Sequence, residues 1–147
     1  MTPKPNADPP HDAPTSASDV SGVIHVPSAH PARESLDRLD ARVRAAGLTV
    51  FLRLDQTQEA ARVGLTLRPT LLLVFGAPRA GTALMQASET VALDLPLRAV
   101  AWEDDRGDRW ISYVDPTTLA ARHHLPPDLI DAINGIGALV HAAATST

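Results

Sequence analysis

The segment Phe75-Gly76-Ala77-Pro78-Arg79-Ala80-Gly81-Thr82 carries the residue types best suited to holding a small molecule. An apolar run feeding a glycine-bounded turn and a helix start leaves backbone amides free. With Arg79 and the Thr82 hydroxyl beside them, those amides can hold a carboxylate or another small anion. The Gly-x4-Gly-Thr spacing is that of a phosphate loop without its lysine, which argues against nucleoside-triphosphate hydrolysis. The plainer alternative is that the glycines only shape a tight connection, with Thr82 capping the helix.

Acids form the second set. Asp55 ends one β-run and Asp94 lies among Val91, Leu93, Leu95 and Leu97. Two such carboxylates can serve as acid and base if a pocket raises the pKa of one of them. Asp94 can equally be a hydrogen-bonded anchor. Glu103, Asp104, Asp105 and Asp108 crowd a single turn but lack the Asp-x-Asp-x-Asp-Gly spacing of a calcium loop, so a solvated turn and no metal are expected. His123 and His124 follow Arg122 at a helix end, where imidazoles suit the dipole, and adjacent helical residues point to different sides. Capping is the expectation there. Cysteine is absent and Lys4 is the lone lysine, which removes thiol and Schiff-base chemistry from the body of the chain. No cofactor motif is present, and no cofactor is expected.

These residues need elements to position them. The apolar fraction of 44% with 20% charged residues is that of a globular chain, and 147 residues suffice for one core. A net charge of −4 lacks the basic stripe of a nucleic-acid binder. Residues 1–19 hold five prolines among Ser, Thr, Asp and Ala with no apolar run, which predicts a disordered tail and no secretory signal. The longest apolar stretch, 71–75, is far short of the ~20 residues that span a bilayer, so a cytoplasmic protein without membrane contact is expected.

A single domain over 20–147 follows. Residues 20–26 read as a strand. Pro31 opens a helix whose Leu36, Leu39, Val43 and Ala46 form one apolar stripe, closed by Gly47. Strands are expected at 48–54 and from Pro69, the second apolar enough to be covered on both faces. Short helices are expected at 56–63 and 82–88. Runs 98–103 and 109–114 make a hairpin around the acidic turn. A short helix runs over 116–122. Pro126 and Pro127 open a last helix with Leu129, Ile130, Ile133, Ile136, Leu139 and Val140 on its buried side, while Gly135 and Gly137 suggest close packing on another backbone, across a subunit interface or within the chain. The order β-α-β-(α)-β-(α)-β-β-α-α predicts an α+β two-layer fold, a mainly antiparallel sheet with two long helices on one face. The other face must meet solvent, a ligand or a partner.

The ordered series Phe75-Gly76-x-Pro78-x-x-Gly81-Thr82-x-Leu84-Met85, Asp94-Leu95-Pro96-Leu97, Val100-x-Trp102-Glu103-Asp104 and Tyr113 to Arg122-His123 resembles the DUF302 family of uncharacterised bacterial proteins over about residues 20–143. The resemblance implies a TATA-binding-protein-like α+β sheet, often in a homodimer, and no established reaction. Asp55-Gln56 and Gly76-Ala77-Pro78 depart from the family's Asp-His and Gly-Asn-Pro, removing an imidazole and an amide from that part of the cleft.

Three functions are weighed. The first is a non-catalytic module binding a small anionic or polar ligand through Gly76, Arg79, Gly81, Thr82, Asp94 and Trp102. The second is a homodimeric interaction protein. The third is a carboxylate enzyme using Asp55 and Asp94.

Overall fold

The computed structural model describes residues 20–146; the proline-rich segment 1–19, expected as a disordered tail, lies outside them. Five strands form one antiparallel sheet: β1 (Val23–Pro27), β2 (Thr49–Asp55), β3 (Thr70–Gly76), β4 (Leu97–Glu103) and β5 (Arg109–Val114), in the spatial order β1-β5-β4-β3-β2. Helices α1 (Ala32–Ala45) and α6 (Ile136–Thr145) cover one face, and α2 (Gln56–Arg62), α3 (Pro78–Ala87), α4 (Pro116–His123) and α5 (Pro127–Ile130) fill the connections. The α+β two-layer arrangement is the one the element order predicts.

The period of the sequence explains which helix lies where. In α1, Leu36, Leu39 and Val43 recur on one side and are fully buried against the sheet. Pro31 has no side chain able to cap, so Glu103 reaches from the end of β4 and its carboxylate accepts from the Ala32 amide at 3.1 Å. Arg53 on β2 ties that edge strand to α1 through Asp37 and Asp40. Thr82 and Gly81 fall differently from expectation. Helix α3 begins at Pro78, so Gly81 lies inside it, and the Thr82 hydroxyl donates to the Pro78 carbonyl at 2.7 Å and does not cap.

Two expectations are corrected by packing. The last helix is broken into α5 and α6 by turns around Asn134 and Gly135. A Cβ at Gly137 would stand 2.9 Å from the hydroxyl of the buried Tyr113, so any larger residue there forces that ring to shift. Its close neighbour is thus a side chain of the same protein, and the glycine is no evidence of a subunit interface. Strand β3 is covered on one face alone: Leu71, Leu73 and Phe75 are buried beneath the helices, while Leu72 and Val74 are half-buried on the opposite side. Unbroken apolarity here marks a sheet with an apolar open face.

Candidate functional site

A groove of about 690 Å³ opens between the end of β3, helix α3, the bulge of β2 and the segment leading into α6. Phe75 and Leu97 form its floor, Gly76, Pro78, Ala80, Gly81, Thr82 and Met85 one wall, and Ile133, Ile136, Ala138 and Leu139 the other. Phe51 reaches it because the register of β2 slips between Val50 and Leu52. The extra residue of such a bulge turns its side chain off the regular alternation. Val50 is left packed against the core and Phe51 about half exposed. The groove's chemistry is nearly all carbon. Among the described residues, Asp131 is the one ionisable group that lines it, and no Arg or His does.

The six residues expected to converge therefore separate. Gly76, Gly81 and Thr82 line the groove, whereas Arg79, Asp94 and Trp102 do not. Arg79 is exposed on the outer side of α3. The Gly81 amide is spent on the Ala77 carbonyl at 2.9 Å, as an ordinary helical bond.

Asp94 belongs to a second, polar corner formed by the 3-10 turn Glu89–Leu93 and α4. His123 is buried and its Nε2–H donates to Asp94 Oδ2 at 2.5 Å, while Arg122 adds a contact at 3.3 Å. Because a carboxylate has no proton to give, Nε2 carries the hydrogen in the neutral ring, and Nδ1 accepts from the Thr90 hydroxyl at 2.9 Å. The His123 hydrogen bond holds the Asp94 carboxyl below its ordinary pKa; the Arg122 bond and charge act in the same direction, against partial burial. That direction is opposite to what an acid catalyst requires. His123 is consequently no helix cap; His124 fills that position, left-handed at φ 52°. A small hollow of about 150 Å³ beside Asp94 shares Leu97 and Ile136 with the groove, and Thr90 borders neither space. Thr90, His123 and Asp94 thus connect as hydroxyl, imidazole and carboxylate without a hollow at the hydroxyl, and they brace the 3-10 turn against α4.

Trp102 lies on the open face of the sheet. Its Nε1–H donates to Ser112 Oγ at 2.8 Å, with the His25 and Trp110 rings 6.0 and 6.5 Å away. Asp55 caps α2 by accepting from the Gln58 amide at 2.9 Å and pairs with Arg33 at 2.7 Å. Both acids proposed for catalysis are therefore spent as anchors. In the acidic turn, burial pushes the Asp104 pKa up, but the indole N–H of Trp110 and the amides of Arg106 and Asp108 outweigh it, and the net direction is down. No group of three or more His, Cys, Asp and Glu among the described residues is arranged to hold a metal.

Sequence reading assigned His123 a capping role and singled out neither Thr90 nor Asp131. His123 had a signal: it follows Leu119 by four and Ala120 by three, in phase with the buried side of α4. Thr90 and Asp131 had none.

Comparison with known proteins agrees with this architecture. The sequence model of the domain of unknown function DUF302 matches residues 24–143. The fluoride-specific ion channel FluC 1 of Brucella suis biovar 1 (strain 1330) is 45% identical over 116 residues, which cover 78% of this chain and 46% of that protein. The fluoride-specific ion channel FluC 2 of Brucella melitensis biotype 1 is 45% identical over the same length, covering 43% of that protein. The chain thus spans less than half the length of these curated relatives. No helix among its described residues is long and apolar enough to cross a membrane. A crystal structure of an uncharacterised conserved DUF302 protein from Bacillus stearothermophilus superimposes with a TM-score of 0.70 over 84% of this chain and 96% of that one, at 20% identity, a likeness of fold. The chain belongs to the DUF302 family.

Proposed function

We propose that this domain is a non-catalytic binding module whose ligand is a small, largely apolar molecule seated in the groove beside α3. The observation that carries this reading is the groove itself: about 690 Å³, walled by Phe51, Phe75, Met85, Leu97, Ile136 and Leu139. That volume falls within the range of small-molecule sites. Each 100 Å² of apolar surface withdrawn from water there contributes about 2.5 kcal/mol before the costs of association. The anionic ligand expected from the 76–82 turn finds no basic group among the described residues of the wall. The carboxylate enzyme is disfavoured because Asp55 and Asp94 are tied to Arg33, Gln58, His123 and Arg122.

Titration with the neutral dye N-phenyl-1-naphthylamine tests the reading. Saturable fluorescence enhancement in the native protein, and its loss in Ala80→Trp, which places an indole in the groove, is the expected result. Equal enhancement in both proteins would refute it.

A second reading rests on the relatives. We infer that the module serves as a companion of a membrane protein, because the matched region is less than half of two proteins that bear the name of fluoride channels. A homodimer is the third, supported by the open sheet face with Leu52 exposed and Leu54, Leu72, Val74 and Val100 half-buried. Sedimentation at micromolar concentration separates a dimer from a monomer.

A further inference from the structure

The charge of the groove narrows the class of ligand. Twenty-two of the described residues line it, and among them Asp131 alone is ionisable. The Asp131 side chain is exposed at the start of the turn that follows α5, with no hydrogen bond or ion pair to another described residue. By contrast, five other acids on the helical layer are engaged: Glu34 with Arg38, Asp40 with Arg44, Asp37 with Arg53, Asp55 with Arg33 and Asp94 with His123. The nearest base in sequence to the opposite wall, Arg79, stands outside the groove, and His141 is exposed on α6 without lining it. Asp128, also exposed, adds a second negative group one helical turn before Asp131.

We infer that the groove selects an apolar molecule bearing a single positive or strongly hydrogen-bond-donating end, an alkyl or aromatic amine, with its carbon body over Phe75 and Leu97 and its cation at Asp131. This deepens the reading of the groove as a binding site and rests on it. Complementarity of charge at the open end carries the selection. An anionic ligand of the same shape meets one carboxylate and no compensating cation. Because Asp131 faces water, the preference is modest. An exposed ion pair is worth up to about 1 kcal/mol, which converts to about fivefold in affinity at low ionic strength and less in salt.

The test is calorimetric titration of the full chain with octylamine, 1-octanol and octanoate, three probes of equal carbon length, at low and at high salt. The expected order is octylamine tightest, octanol next and octanoate weakest, with the spread compressed by salt. Asp131→Asn, an exposed substitution that leaves the core intact, removes the charge and brings the octylamine-to-octanol affinity ratio to about one. Octanoate binding tightest, or an amine preference that survives Asp131→Asn, overturns the inference while leaving the groove as a site. Failure of all three probes to bind refutes the groove reading itself, and the inference with it. A concentration-dependent dimer that excludes all three does the same, since a second copy of the chain is then the occupant.

Discussion

The groove beside α3 and the corner around Asp94 adjoin, sharing Leu97 and Ile136, yet they are opposite in chemistry. The corner is already paired. His123, Thr90, Arg122 and Asp94 satisfy one another, and no buried side-chain nitrogen or oxygen among the described residues lacks a partner. A newcomer there would have to replace bonds already made, for a net gain near zero. The groove is unfinished by comparison: among the described residues, Phe51 and Met85 keep apolar surface in water that a further molecule can cover. Polar side chains attract attention in a sequence, but in this fold they are mostly consumed in holding it together.

The largest effect that sharpens this contrast lies at the groove floor. Phe75 is fully buried there between sheet and helices, so Phe75→Ala should cost about 3–5 kcal/mol in urea unfolding and abolish dye binding together. A loss below about 1 kcal/mol would mean that the floor is not part of the packed core.

His123→Ala comes next. It leaves Asp94 and Thr90 without their shared partner, and a hydrogen bond to a charged group is worth about 1.5–3 kcal/mol. Unfolding should register a loss of that order, with dye affinity close to wild type. Strong loss of binding at unchanged stability would instead make the corner part of the ligand site.

Acid sets the third effect. The Asp94 pKa is lowered in the folded state from an ordinary value of 3.8, chiefly by the His123 hydrogen bond, so the folded protein binds this proton less readily than the unfolded chain. A depressed carboxyl contributes stability above its unfolded value and loses it as the pH falls through the folded one. The stability difference between wild type and Asp94→Asn should therefore be constant above about pH 5 in respect of this group, and shrink below 3.8. A gap that widens in acid would contradict the assignment.

The smallest stability effect belongs to Phe51. As the bulged, half-exposed rim residue, Phe51→Ser should change unfolding by no more than about 0.5 kcal/mol and still weaken dye binding several-fold. This variant separates function from folding most cleanly.

Much of the architecture was legible because local signals agreed. The stripe of α1, the hairpin of β4 and β5 and the proline starts of α4 and α5 all needed only periodicity and turn chemistry. The site was legible in part. The 76–82 segment does border the cavity, but its glycines read as an anion cradle when one of them is helical and the wall they form is apolar. A bulge that turns Phe51 outward depends on strand pairing, and the pairing of Asp94 with His123 spans 29 positions. Neither leaves a mark in sequence spacing. The close approach of Tyr113 to Gly137 is again a contact between distant segments.

The most direct test of the central claim is amide chemical-shift mapping of the ¹⁵N-labelled chain with 1-octanol. The account predicts saturable shifts at residues 76–85, at Phe51 and Leu97, and along 131–142, with the amides of Thr90, Asp94 and His123 unmoved. Shifts centred on Asp94 and His123, or none at the groove, would contradict it.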